Sequence, residues 1–197
     1  MERIGANGVS NTSASGGYLQ PSFPPSVSFG DELVDFLQAW VVGITNYPTD
    51  KVRPRWQPEP ANIPDGDWMA FGIMSKESDP FIYTEQSDAL TTIVVRNETL
   101  HLMASFYGPN ADSYASALRD GMQIQQNLEP LSLNNMGLVG SGDTTTLPEL
   151  IKEIWLFRVD LPFSIKREVI RNYNVETLLS AKAVLDNENY LTNIATG

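Results

Sequence analysis

One histidine, no cysteine and a scatter of carboxylates are what this chain offers for chemistry. His101 stands between Leu100 and Leu102 in an alternating segment. To act as a general base it would need a carboxylate partner and a pocket. Glu98, three residues earlier, falls on the opposite face of a strand, so His101 reads as a structural histidine. A multi-histidine metal site, a thiolate zinc site, an iron–sulfur cluster, a disulfide and a cysteine nucleophile are all excluded by composition. Gly137-Leu138-Val139-Gly140-Ser141-Gly142 has the glycines of a phosphate loop but lacks the Lys-Ser/Thr ending, and no helix clearly follows. Ser10, Ser13 and Ser141 lack the context of a nucleophile elbow. Asp65-Gly66-Asp67 lacks the spacing of a calcium loop and reads as a turn. The residues therefore predict no catalytic centre, no metal and no cofactor.

Two basic clusters remain. Lys51, Arg53 and Arg55 lie next to Trp56, and arginine with tryptophan is a pairing favoured at protein interfaces. The same residues would also serve as an edge strand protected by charge and proline. The second cluster runs from Arg158 to Arg171, where Arg158, Lys166, Arg167 and Arg171 face only Asp160 and Glu168. The stretch from Glu59 to Asp88 is its opposite, with seven acidic residues and Lys76 as the one basic residue. Either these charges pair within the subunit, or the basic run meets the acidic stretch of a neighbouring copy head to tail, a contact that can close into a ring.

The elements that must position these groups follow from periodicity. Leu33, Phe36, Leu37, Trp40, Val41 and Ile44 predict a helix over about 31–44, capped by Ser28 or Asp31. Pro54, Pro58, Pro60 and Pro64 make the next segment an edge strand leading into an extended loop. Trp68 to Met74 reads as a buried strand, and Leu90 to Val95 is rich in β-formers. From Glu98 to Tyr107 one face carries Leu100, Leu102, Ala104 and Phe106. Asn110 is placed to cap a second helix over about 111–126, followed by a turn or helical piece over 130–135 and a strand over 137–142. Glu149 to Tyr173 reads as one or two extended strands bent or bulged near Pro162. The order predicts an α+β fold, with two main helices packed on a mostly antiparallel or mixed sheet.

Three segments are expected: an N-terminal arm over 1–27, a domain over 28–175, and a tail over 176–197 with a short helix. The arm carries only Glu2 and Arg3 as charges and few large apolar residues. It cannot offset its chain entropy alone. It is either a leader without a role or an arm that orders on a partner through Tyr18, Leu19 and Phe23. The 197 residues suffice for one domain with a real core, and 42% hydrophobic content is that of a globular protein. No apolar run approaches the ~20 residues of a membrane span, and the first residues lack a signal-peptide pattern. A formal charge of −11 argues against wrapping DNA.

LVDFLQAWVVGITN followed by VRPRWQPEPANIP and DWMAFGI, then SFYGPNADSYASALRDGMQIQQN, then ELIKEIWLFRVDLPFSIKREVIRNYNVETLLSA together resemble the phage neck terminator, or tail terminator-like, proteins of tailed bacteriophages. The resemblance covers about 32–181. Its most specific pieces are Arg53-Pro54-Arg55-Trp56-Gln57-Pro58, Ser105-Phe106-Tyr107-Gly108-Pro109-Asn110 and Asp160-Leu161-Pro162. It implies a structural virion protein, not an enzyme, assembled in the host cytoplasm and placed at the head–tail junction. Such a protein forms a ring, usually a homohexamer, that caps the head-proximal end of the tail tube. It meets the tail tube protein, the neck or connector protein and, in a contractile tail, the sheath protein. DNA passes through the ring without specific binding. The alternatives kept open are a head-completion, connector or tube-like protein, and a small ligand-binding domain or enzyme. For a subunit or neck contact the candidates are Arg53, Arg55 and Trp56, then Arg158, Lys166, Arg167 and Arg171, then Tyr18, Leu19 and Phe23.

Overall fold

The computed structural model describes residues 18–22, 25–56, 64–88, 91–151 and 153–175. In chain order these form helix α1 (Asp31–Thr45), a 3-10 turn (Thr49–Lys51), and strands β1 (Val52–Pro54), β2 (Trp68–Ser78), β3 (Tyr83–Gln86) and β4 (Thr91–Tyr107). Helices α2 (Ala111–Gly121) and α3 (Gln125–Ser132) follow, then strands β5 (Met136–Ser141), β6 (Thr145–Ile151) and β7 (Ile154–Asn174). The fold is α+β as expected, with a mixed seven-stranded sheet. The short helix expected after Glu176, Phe23 of the arm, and Pro58 and Pro60 lie outside the described residues.

Two long strands make the axis of the sheet. β4 has 17 residues and β7 has 21, or roughly 55 and 70 Å at about 3.3 Å per residue. Their antiparallel register runs unbroken from Thr91↔Asn174 to Tyr107↔Arg158. Shorter segments tile the outer edge of each. β2 and then β3 pair with β4. Along β7 lie β6, then β5, then the end of the arm, where Ser22 N–H donates to Asn172 O (2.7 Å) and Ser26 N–H to Ile170 O (3.2 Å). β1 adds to β2 in parallel and makes the sheet mixed.

Pro162 sits in the middle of β7, yet the β4–β7 register passes it without a shift. The β4–β7 ladder has no bulge there, the nearest irregularity being the β5–β7 register shift opposite Ser164 and Ile165, and the reason is positional. In an antiparallel strand the N–H and C=O of one residue point to the same side. Pro162 O accepts from Gly142 N–H on the β5–β6 side, so its missing donor faces the junction between β6, which ends its pairing at Asp160, and β5, which begins at Phe163. No bond of the β4–β7 ladder is lost. Glu149 to Ile151 belong to β6, not to the long strand, because the chain reverses between Ile151 and Ile154 with Glu153 at φ 65°.

The inner face of the sheet holds Leu100, Leu102, Ala104 and Phe106 of β4, and Val159, Leu161, Phe163 and Ile165 of β7, all buried. Helix α1 lays Leu33, Leu37, Trp40 and Val41 on this face, and α2 adds Ala111, Ala115 and Leu118. Gly30, at φ 62°, occupies the position before α1, and no side chain caps it. Ser28 and Asp31 therefore do not act as caps: the Ser28 carbonyl instead accepts from Arg167. Asp31 and Glu32 in the first turn complement the helix dipole.

The second expected helix is two. α2 stops at Gly121, where a Cβ would lie 2.3 Å from Ile44 Cγ2 of α1. The chain then extends at Ile124 before α3 begins. Trp40 Nε1–H donates to Asn127 O (2.5 Å) and fixes α3 against α1. Asn110 does stand before α2, but its side chain donates to Asp67 Oδ2 (2.7 Å) instead of capping the helix.

Tyr47 packs edge-on to Tyr114 with ring centroids 4.5 Å apart. Its hydroxyl is buried without a hydrogen-bond partner. Burial, then the charge of Asp67 and then Tyr114, hold its pKa well above the ordinary value. A desolvated, unpaired hydroxyl costs stability. Tyr47→Phe is expected to leave stability unchanged or raise it by up to about 1 kcal/mol, read as a rise in the urea midpoint. A loss above that size would show that the hydroxyl has a partner in solution.

Candidate assembly interface

The sheet has two unlike faces, and the region beyond Tyr107 and Arg158 shows why that matters. There β7 outruns β4: Gly108 N–H, just past the end of β4, still donates to Phe157 O (3.0 Å), and residues 154–156 pair with β6 alone. The result is a two-stranded hairpin leaving the body of the fold.

The helix-free face of this hairpin is clamped down. Arg158 donates to Glu149 Oε2 on β6 (2.5 Å) and to Asp160 Oδ2 on its own strand (2.7 Å). Tyr107 O–H donates to the same Glu149 oxygen (2.9 Å). The Tyr107 ring stacks on Trp68 at 3.8 Å with planes 3° apart, and Leu156 packs on the pair. Burial alone would lower the Arg158 pKa, but its bonds to Asp160 and Glu149 together outweigh that and hold it above the ordinary range. Tyr107 is pushed up to about 12, first by burial and then by its bond to Glu149. Its neutral form is the one the fold favours. The stability it contributes is intact below its ordinary pKa of 10.0 and is lost as pH rises through about 12. Unfolding measured across that window is expected to show the decline, and Tyr107→Phe to flatten it. An identical slope in that variant would assign the alkaline loss to another group.

The opposite face of the hairpin is apolar and uncovered. Register pairs Leu150 with Trp155 and Pro148 with Phe157, so all four share a face. The next pair on that face contains Val159, which lies in the core. The core pattern thus continues past the last helix. Trp155 is 68% exposed, Leu150 54% and Phe157 45%. None of these was singled out from the sequence. The available signal was the alternation Trp155, Phe157, Val159, Leu161, which reads as core until the helices are placed.

The two basic clusters separate in the fold. Arg167, offered by the sequence as a contact for a neighbour, is 2% exposed. It is spent within the chain, donating through Nε and Nη2 to Glu98 Oε2 (2.9 and 2.8 Å) and through Nη1 to Ser28 O. Arg158 is spent likewise on Glu149 and Asp160. Arg171 lies half-buried, its guanidinium 5.5 Å from the Phe29 ring centroid, which Arg167 also approaches at 4.5 Å. Lys166 is exposed.

Arg53 donates to the carbonyls of Asp50, in the 3-10 turn, and of Val52, on the edge strand. Arg55 crosses Gly72, where a Cβ would lie 3.0 Å from its own, and donates to the buried Ser105 Oγ (2.7 Å). Trp56 beside it is 69% exposed. Tyr18 is 91% exposed and Leu19 partly so, while Pro21 and Ser22 already pair with β7 of the same chain. His101 has Nδ1 2.9 Å from Ser164 Oγ and Nε2 3.7 Å from Glu77, a carboxylate that the sequence spacing does not pair with it. Among the described residues no group of three metal-ligating side chains converges, and no helix is long and apolar enough to cross a membrane.

A family model described as phage neck terminator protein matches residues 31–189. No curated protein matches the chain.

Proposed function

The chain belongs to the phage neck terminator protein family, and from that premise we propose that it is a tail terminator whose copies close into a ring, six to the ring, on the head-proximal end of the tail tube. As a phage neck protein it is a structural component of the virion. The ring stops tube growth and presents its other side to the neck or connector protein. The family match across most of the chain is the observation that carries this reading. The geometry agrees with a role in assembly. Large apolar side chains stand exposed toward both ends of the β4–β7 ribbon: Trp155 and Phe157 beyond one end, Phe81 and Tyr83 beside β4 toward the other. The acidic charge fits a lumen that repels the DNA passing through it.

Light scattering with negative-stain images, on the protein alone and with tail tube protein, tests the reading. A closed ring, free or capping tube ends, is the expected result. Long stacked polymers would favour a tube subunit instead, and a monomer indifferent to tube ends would remove the terminator role.

Arg55 and Trp56 supply a further contact in this ring or with the neck. Arg55→Glu is expected to leave the monomer folded at a cost of about 1–2 kcal/mol for the lost Ser105 bond, and to weaken ring formation or tail joining. Circular dichroism with an assembly assay separates the two effects, and unchanged assembly would take the site off the interface.

A further inference from the structure

We propose that the apolar face of the β6–β7 hairpin docks in the groove between α1 and α3 of a second copy of this chain. The inference deepens the ring reading and rests on it.

The groove is an open space of about 410 Å³ lined by Phe36, Ala39, Trp40, Ile44, Asn127 and Pro130, among others, none of them ionisable. The hairpin face of Pro148, Leu150, Trp155 and Phe157 is equally free of charge. A charged peptide would bring unpaired charge into such a contact, whereas these two surfaces leave none. A single indole entering the groove removes about 150–250 Å² from water.

Docking within one chain is excluded by distance. Trp40 packs on Phe163, and Trp155 lies eight residues along β7 from Phe163, or about 26 Å at 3.3 Å per residue. The hairpin cannot fold back over that gap, because Arg158, Glu149, Tyr107 and Leu156 hold its other face to the sheet. The same clamp presents Trp155 in a fixed orientation, so little ordering entropy opposes docking. A two-stranded ribbon with a contiguous exposed apolar face is also marginal on its own.

Hairpin and groove are different patches, so the contact between copies is heterologous. That is the type a ring of identical subunits requires, each copy giving its hairpin to one neighbour and its groove to the other.

The absence of cysteine makes cross-linking a clean test. Leu150→Cys and Ala39→Cys are prepared as separate full-length proteins, one carrying a mass tag. They are mixed with and without tail tube protein and treated with a short bis-maleimide. Mixed dimers are expected to dominate over homodimers of either variant. Adding Trp155→Ser to the Leu150→Cys protein is expected to weaken association by roughly 30-fold or more, as for loss of a central aromatic anchor, with circular dichroism unchanged. Phe157→Asp provides a second disruption of the same face. Light scattering on the unmodified protein reports the ring independently. A ring that yields no mixed cross-link overturns the hairpin contact and leaves the ring standing. Mixed cross-links in particles that never close support the contact and sink the ring. A monomer without cross-links overturns both.

Discussion

Glu98→Ala lowers the unfolding free energy by about 3–5 kcal/mol, the usual cost of removing one partner from a buried ion pair. Glu98 and Arg167 face each other across β4 and β7, and both are buried. Arg167 donates two hydrogen bonds to the carboxylate and one to the Ser28 carbonyl, and its guanidinium lies on the Phe29 ring. Lys76 approaches the same carboxylate at 3.5 Å. Without Glu98, Arg167 keeps its charge in a site closed to water, and Lys76 and Arg171 nearby turn from balanced neighbours into like charges. A loss of that size lowers the melting temperature by roughly 6–20 °C in a chain of this length. Glu98→Leu combined with Arg167→Met is expected to recover much of it, since an apolar pair of similar volume leaves no charge unpaired. Urea titration of both variants beside the unmodified protein is the measurement. Equal losses in the single and double variants would mean that packing, and not the unpaired guanidinium, sets the cost.

The Glu98–Arg167 pair also shows what could be read in advance. Alternation placed Leu100 to Phe106 on one face, and the burial of those residues follows it. Helix α1 was legible because six apolar residues recur at its period. The existence of α3 was half legible, because the close approach of Gly121 to Ile44 that separates it from α2 is a tertiary contact with no local signature. β6 was missed for a similar reason: its turn lacks Gly, Pro and Asn, and the left-handed conformation there falls on Glu153. Once β6 is lost, the hairpin is lost, and with it the surface that Trp155 presents. Charge counting found Arg158 and Arg167, but burial is a property of register. Alternation puts Glu98 on the Leu100 face, yet a carboxylate there reads as the exposed end of that face until Arg167 is placed opposite it. Sequence therefore located the family and the core face, while the proposed interface depended on which strands outrun their neighbours.

Arg158→Ala is expected to have the second large effect, about 2–4 kcal/mol of stability, with a further consequence for assembly. Asp160 is buried, and its Oδ1 has no partner even in the intact protein. Removing Arg158 strips Oδ2 as well and leaves a carboxylate without any counter-charge. Glu149 would keep only the Tyr107 hydroxyl. Fixing β6 to β7 across this face is the work of the Arg158 fork, so the hairpin should loosen even where the core stays closed. Two readouts distinguish the levels. The urea midpoint reports the global loss, and hydrogen exchange over residues 145–157 reports the hairpin. Asp160→Asn restores stability in the Arg158→Ala background if the unpaired charge is the cause, but it does not restore the link to Glu149. The combined variant should therefore regain much of its midpoint while its hairpin continues to exchange quickly and its assembly stays weak. Recovery of assembly together with the midpoint would place the role of Arg158 in core stability alone, and the orientation of Trp155 would then need another support.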